Sequence, residues 1–274
     1  MSSDVNITKR HYNESVSLKD ALQKKINVMH AVILRDIRSR YFNHGLGFLI
    51  VPLFPTAHLV LLLVFYTVIG RDATFGDDTR LFFATGLMPA LSFMYVSRFM
   101  SISLLSNKSM MAFPIVRLLD IVIARAFLEI IGIIIATVFI ICILLANGSD
   151  PWPRDLAQAG IGMLLIFITS IGVGIIASVI TAIVPVFALI YALSMIIIYL
   201  TSGAPIYLHS MPSQVLDVVS WSPAFQAVEW VRSAYYLGYP DHYLNKTYLV
   251  GFAVGSLAIG LLMERTLRRV VLSG

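Results

Sequence analysis

Between residues 17 and 41 an apolar residue recurs at every third or fourth position: Leu18, Leu22, Ile26, Met29, Ile33, Ile37 and Tyr41. At about 100° per residue these share one side of a helix, with Asp20, Lys24, Arg35 and Arg38 gathered opposite. A segment so charged predicts a helix lying along a membrane surface rather than crossing it. Residues 1–16 are polar and read as a flexible tail without the apolar core of a signal peptide. Six longer apolar segments follow, near 47–69, 81–104, 119–146, 157–181, 186–202 and 247–263. Each approaches the roughly 20 apolar residues that a helical crossing needs. The second contains Pro89 and Arg98 and is expected to kink or to leave the bilayer early.

The stretch 203–246 fits neither pattern. It holds Gly203, Pro205, Pro212, Pro223 and Pro240, aromatic residues that include Trp221, Trp230, Tyr235 and Tyr236, and the charges Asp217, Glu229 and Arg232. An aromatic belt at the interface explains the rings but leaves the embedded charges unexplained. Broken-helix structure near a membrane survives where it packs on protein or lines a cavity. We therefore read a pair of short re-entrant helices. The expected fold is all-α: a polytopic membrane protein with six transmembrane helices, the interface helix, and these external re-entrant helices before the last span. Residues 17–274 then form a single membrane domain.

Composition agrees: 58% of residues are hydrophobic, 13% are charged, and the mean hydropathy is +0.84. Ordinary soluble domains carry about 25% charged residues, so a soluble enzyme and a disordered chain are both excluded. The net charge of +5 raises the question of nucleic acid, but its distribution is a topology signal. Fourteen Lys and Arg residues fall in the N-terminal stretch, the 98–118 region and the C-terminus, against five in the opposite loops. Both termini are therefore expected in the cytoplasm, with 203–246 outside.

The chain lacks GxxxxGK[ST], HExxH, CxxC and GxSxG, and its one cysteine, Cys142, allows no intrachain disulfide. His58 lies in the first span, as a relay or ligand or as a partner for a neighbouring helix. Arg125 and Glu129 are one turn apart, with Glu129 about 13 Å along the third span from Asp120. Either the two pair, or Arg125 reaches to the edge and Glu129 is neutral or bonded to another helix. Small residues at four-residue spacing (Ser170, Gly174, Ser178, Ala182) and the Gly251/Gly255 pair mark helix-packing faces.

This order of elements resembles the transmembrane subunit of type-2 ABC exporters, and local motifs resemble the capsular polysaccharide export permeases of Gram-negative bacteria. The motifs are Leu34-Arg35-Asp36-Ile37-Arg38-Ser39-Arg40-Tyr41 with Gly45-Leu46-Gly47-Phe48, then Pro55-Thr56-Ala57-His58-Leu59. Others are Asp120 to Glu129, Leu208-His209-Ser210-Met211-Pro212, and Trp221-Ser222-Pro223 followed by Glu229 and Arg232. The family tends to have a proline before the aspartate that opens the third span; Leu118-Leu119 stand here instead.

The resemblance implies a non-catalytic permease of the bacterial inner membrane that exports lipid-linked capsular polysaccharide. It would pair with a second copy of itself and two ATP-binding subunits, which hold the ATP and Mg, and would work with periplasmic and outer-membrane export proteins; no cofactor is expected in this chain and no nucleic acid partner. Residues 105–118 would be the coupling helix, with Asn107, Lys108, Met110, Met111, Phe113 and Arg117 meeting the ATPase. Arg35, Arg38 and Arg40 would receive an anionic lipid-linked end, or simply anionic headgroups. Arg125 and Glu129, together with Trp221, Glu229, Trp230, Arg232, Tyr235 and Tyr236, would serve the conduit and its exit. Alternatives are export of another lipid-linked polymer (O-antigen or teichoic acid), an intramembrane transferase with His58 or Glu129 as base, and a membrane scaffold.

Overall fold

The computed structural model describes residues 18–40 and 47–273, and the tail read over 1–16 lies outside them. The described elements are helical throughout: α1 (Leu18–Arg40), α2 (Gly47–Val68), α3 (Thr79–Ser101), α4 (Ser103–Ser106), α5 (Leu118–Ala146), α6 (Leu156–Ile183), α7 (Phe187–Leu200), α8 (Ser213–Val219), α9 (Pro223–Tyr235) and α10 (Lys246–Ser273). Short 3-10 turns at Lys108–Ala112 and Leu208–Ser210 complete the order. The helix starts have local causes. Asp78 accepts from the amides of Arg80 and Leu81 to begin α3, and Asp155 accepts from the Gln158 amide to begin α6. Asp120 reaches back to the Arg117 amide at 2.9 Å, which starts α5 at Leu118 without a proline. Between α6 and α7, Pro185 forces Val184 out of the helical region and makes the turn.

Among the described residues four stretches are long and apolar enough to cross a membrane: Val51–Val68, Leu118–Ala146, Leu156–Ile183 and Lys246–Leu272. The other two expected spans differ for separate reasons. α3 carries Thr85, Ser92, Ser97 and Ser101, all buried, and touches α2, α5, α6, α7 and α9. It faces protein on most sides and so has no need of a lipid-like surface; its hydroxyls bond back to its own carbonyls, as Ser97 does to Phe93 at 2.6 Å. The helix continues through Pro89 to Ser101. α7 has 14 residues, about 21 Å of helix against a ~30 Å core. α10 passes the expected end near 263 and continues as helix through Arg265, Arg268 and Arg269.

Small residues decide the closest contacts, though not all of those expected. A Cβ at Gly174 would lie 2.7 Å from the Met100 sulfur, so that stripe of α6 is a packing face against α3. A Cβ on Gly172 would lie 2.5 Å from the Leu257 amide, and one on Gly260 would lie 2.9 Å from the Gly172 carbonyl; these two join α6 to α10. Gly251 and Gly255 face open space, so the expected GxxxG contact is not made among the described residues.

Candidate functional site

The stretch 203–246 forms α8 and α9 as two short helices. Every residue of α9 from Ala224 to Ala234 except Ser233 is buried, where the helix lies against α3 and α6. Its charges act as anchors. Arg232 is fully buried and donates to the carbonyls of Gly203 at 2.7 Å and Ala204 at 3.3 Å, with its guanidinium 4.2 Å above the Phe82 ring. Gly86 leaves room for it, because a Cβ there would come within 2.4 Å of the guanidinium. Glu229, one turn away, binds His209 Nε2 at 2.5 Å and accepts from the Tyr239 hydroxyl at 2.9 Å. Burial pushes the Tyr239 phenol well above its ordinary value, which keeps its proton available to the carboxylate. The hydrogen-bond partners of both charges lie 10 to 29 positions away in sequence.

The aromatic residues read as one exit cluster separate into different environments. Trp230 is buried, with Nε1 donating to Gln158 at 2.9 Å and Lys246 lying 5.0 Å over its ring. Tyr235 and Tyr236 are half-buried; burial pushes the Tyr236 phenol up to about 12, and its ring meets Phe75 and Phe82. Trp221 is 72% exposed. It does not join the others.

A second buried polar cluster joins α1 to α5. Arg125 is 2% exposed; its Nη1 lies 2.7 Å from Asp36 and its Nη2 lies 2.8 Å from Glu129. The guanidinium is 4.9 Å above the Phe99 ring of α3, Phe99 stacks on Tyr95, and Tyr95 meets His58 of α2 at 2.8 Å. The pairing of Arg125 with Glu129 is thus present, and His58 is held by a neighbouring helix. Asp36 was missed in the sequence reading. Its signal was available: it falls in line with Met29 and Val32 on the stripe of α1 that faces inward.

The same α1 grips the segment between α4 and α5. Asp36 accepts from Asn107 at 3.5 Å, Arg35 donates to Ser109 at 2.5 Å, and Lys25 binds Asp120. This segment is a 3-10 turn followed by extended chain, so the expected single coupling helix over 105–118 does not form. Within it Asn107 and Met110 are buried, Met111 is half-buried, and Lys108, Phe113 and Arg117 are exposed. Ile115, at 65% exposure, belongs with Phe113 on the outward face. Asn107 and Ser109 tie the segment to α1 while its exposed residues present an apolar and basic surface. Arg38 is exposed, and the side chain of Arg40 lies outside the described residues. Among the described residues no group of three His, Cys, Asp or Glu is placed to hold a metal ion.

The sequence model of the family described as ABC-2 type transporter matches residues 28–236. Similar curated proteins span nearly the whole chain. The polysialic acid transport protein KpsM of Escherichia coli is 28% identical over 250 residues, which is 91% of this chain and 96% of the relative. The capsule polysaccharide export inner-membrane protein BexB of Haemophilus influenzae is 25% identical over 254 residues, 93% of this chain and 96% of the relative. The capsule polysaccharide export inner-membrane protein CtrC of Neisseria meningitidis serogroup B is 27% identical over 243 residues, 89% and 91% of the two chains.

Proposed function

Because this chain belongs to the ABC-2 type transporter family, we propose that it is the permease subunit of an ATP-driven exporter that carries lipid-linked capsular polysaccharide across the bacterial inner membrane. The observation that carries this reading is the end-to-end similarity to inner-membrane proteins of polysialic acid transport and capsule export. In this reading α2, α3, α5, α6, α7 and α10 are the six crossings, α1 lies along the cytoplasmic surface, and both termini are cytoplasmic. The helices α8 and α9 enter the outer leaflet and return. Two copies form the conduit and two separate subunits bind ATP and Mg.

The outward face of the 105–118 segment is the contact for the ATPase. An exposed Phe113 and Ile115 beside Lys108 and Arg117 suit an apolar socket with an acidic rim. Grip by α1 on Ser109 and Asn107 gives motion of that segment a route to the Arg125 cluster. Arg35 and Arg38 are placed on α1 to meet an anionic lipid end. Periplasmic and outer-membrane proteins would take over the polymer beyond the external face.

Deletion of the gene in its host tests the reading. Surface polysaccharide should vanish and lipid-linked polymer should accumulate inside, and the tagged chain should copurify with a P-loop ATPase. Unchanged surface polysaccharide after deletion would refute it.

A further inference from the structure

On the external face, the turn after α8, the loop over residues 236–245 and the first turn of α10 enclose an open cleft of about 800 Å3. That lies within the roughly 300–1,000 Å3 of small-molecule sites. One wall is the exposed indole of Trp221, set edge-on against Tyr248 with ring centroids 5.8 Å apart and planes at 87°. Asp217, Asp241, His242 and Lys246 line the remainder. Among the described residues neither carboxylate is engaged in an ion pair, and Lys246 donates to Gln158.

The frame of this cleft is rigid. Gln226 is 1% exposed and uses its whole amide: it donates to the carbonyls of Ser220 at 2.7 Å and Tyr243 at 2.9 Å, and accepts from the Asn245 amide at 2.7 Å. Tyr248 donates to the Trp221 carbonyl at 2.5 Å, fixing the indole's backbone. A buried glutamine that ties two surface segments to α9, beneath an indole left in the open, builds a preformed recess. Preformed sites lose less entropy on binding.

The lining selects among ligands. A lipid chain has no use for two carboxylates, and a free phosphate is repelled by them. A sugar ring presents an apolar C–H face that lies on an indole, and hydroxyls around its edge that donate to carboxylates and accept from ammonium or imidazole N–H. We propose that this cleft is an external carbohydrate subsite that holds hydroxyl-rich, uncharged sugar residues of the polymer as it leaves the conduit. The proposal rests on the polysaccharide-export reading and adds to it the surface that receives the chain. Trp221 is the stacking platform, and Asp217 and Asp241 are the hydroxyl acceptors.

The test uses the permease–ATPase complex in lipid nanodiscs and, as probe, oligosaccharides released by mild acid from the host's own surface polysaccharide. A Trp152→Phe background leaves the exposed Trp221 and the buried Trp230 as this chain's indoles, and the difference from the same complex carrying Trp221→Tyr isolates the Trp221 signal. Titration should give a saturable change in Trp221 emission. Trp221→Ala and Asp217→Asn should each weaken calorimetric binding about tenfold, the size of one lost charge-assisted contact, while Trp221→Tyr retains most of it. Asp217 is on the surface, so its variant tests the cleft even where Trp221→Ala disturbs assembly. No saturable signal, or both variants binding as the wild type does, overturns the subsite. Gene deletion separates the two readings: if deletion strips the surface polymer while the variants bind and export normally, only the cleft proposal fails.

Discussion

The buried cluster of Asp36, Arg125 and Glu129 allows a quantitative prediction. Its two ion contacts, at 2.7 and 2.8 Å, each carry about 6 kcal/mol of gross Coulomb attraction at an effective dielectric of about 20. Most of that is offset by the several kcal/mol per ion lost on leaving water. What remains large is the cost of breaking the arrangement from one side. Arg125 is the cation that both carboxylates share, so Arg125→Leu takes from two buried carboxylates a guanidinium that lies within 2.8 Å of each and should cost about 3–5 kcal/mol. Glu129→Gln is milder, about 1.5–3 kcal/mol, because Arg125 keeps Asp36 opposite and the amide still accepts a hydrogen bond. Asp36→Asn combined with Glu129→Gln should again be severe, exceeding the sum of the singles, because the guanidinium then loses both counterions. Replacing all three groups by neutral ones should recover much of the loss. The assay is thermal inactivation of the solubilised complex followed by size-exclusion chromatography, read as the order of midpoints. An Arg125→Leu midpoint no lower than that of Glu129→Gln would refute the shared-cation account. A neutral triple variant that folds but does not export would add a transport role to the structural one.

Three further outcomes follow from the geometry. Phe113→Ser with Ile115→Ser should leave the chain inserted but abolish copurification with the ATPase; unchanged pull-down would move the contact elsewhere. Gly86→Ala should destabilise by about 1–3 kcal/mol, since its methyl would displace the Arg232 guanidinium, and a thermal midpoint equal to wild type would show that α3 and α9 can part freely. In a Cys142→Ser background, cysteines at positions 108 and 268 should resist a membrane-impermeant maleimide added outside while one at position 241 reacts; labelling at 268 would end the proposed topology.

How much of this was legible in one dimension depended on the range of the interaction involved. Helices were legible because a chain this apolar can satisfy its backbone in a membrane only within the helix itself, and 3.6-residue periodicity is local. The helix α1, the turn at Pro185 and the two short helices after residue 203 were all read from local signals, although Leu22 and Ile26 of the expected stripe are exposed and Val32 and Asp36 are buried instead. The pairing of Arg125 with Glu129 was within reach because the two are one turn apart. The tertiary fold alone brought Asp36 to Arg125 across 89 positions and sent Arg232 to the carbonyls of Gly203 and Ala204. It alone divided four aromatic residues of similar sequence context into a buried Trp230, two half-buried tyrosines and an open Trp221. It also made α3, the least span-like of the long apolar segments, the most enclosed of the long helices, and left Gly251 and Gly255 without a partner surface among the described residues. Hydropathy measures what a residue would prefer to touch, whereas the fold decides what it touches. A charged or aromatic residue therefore shows its chemistry in the sequence, and its partner only where distant segments meet.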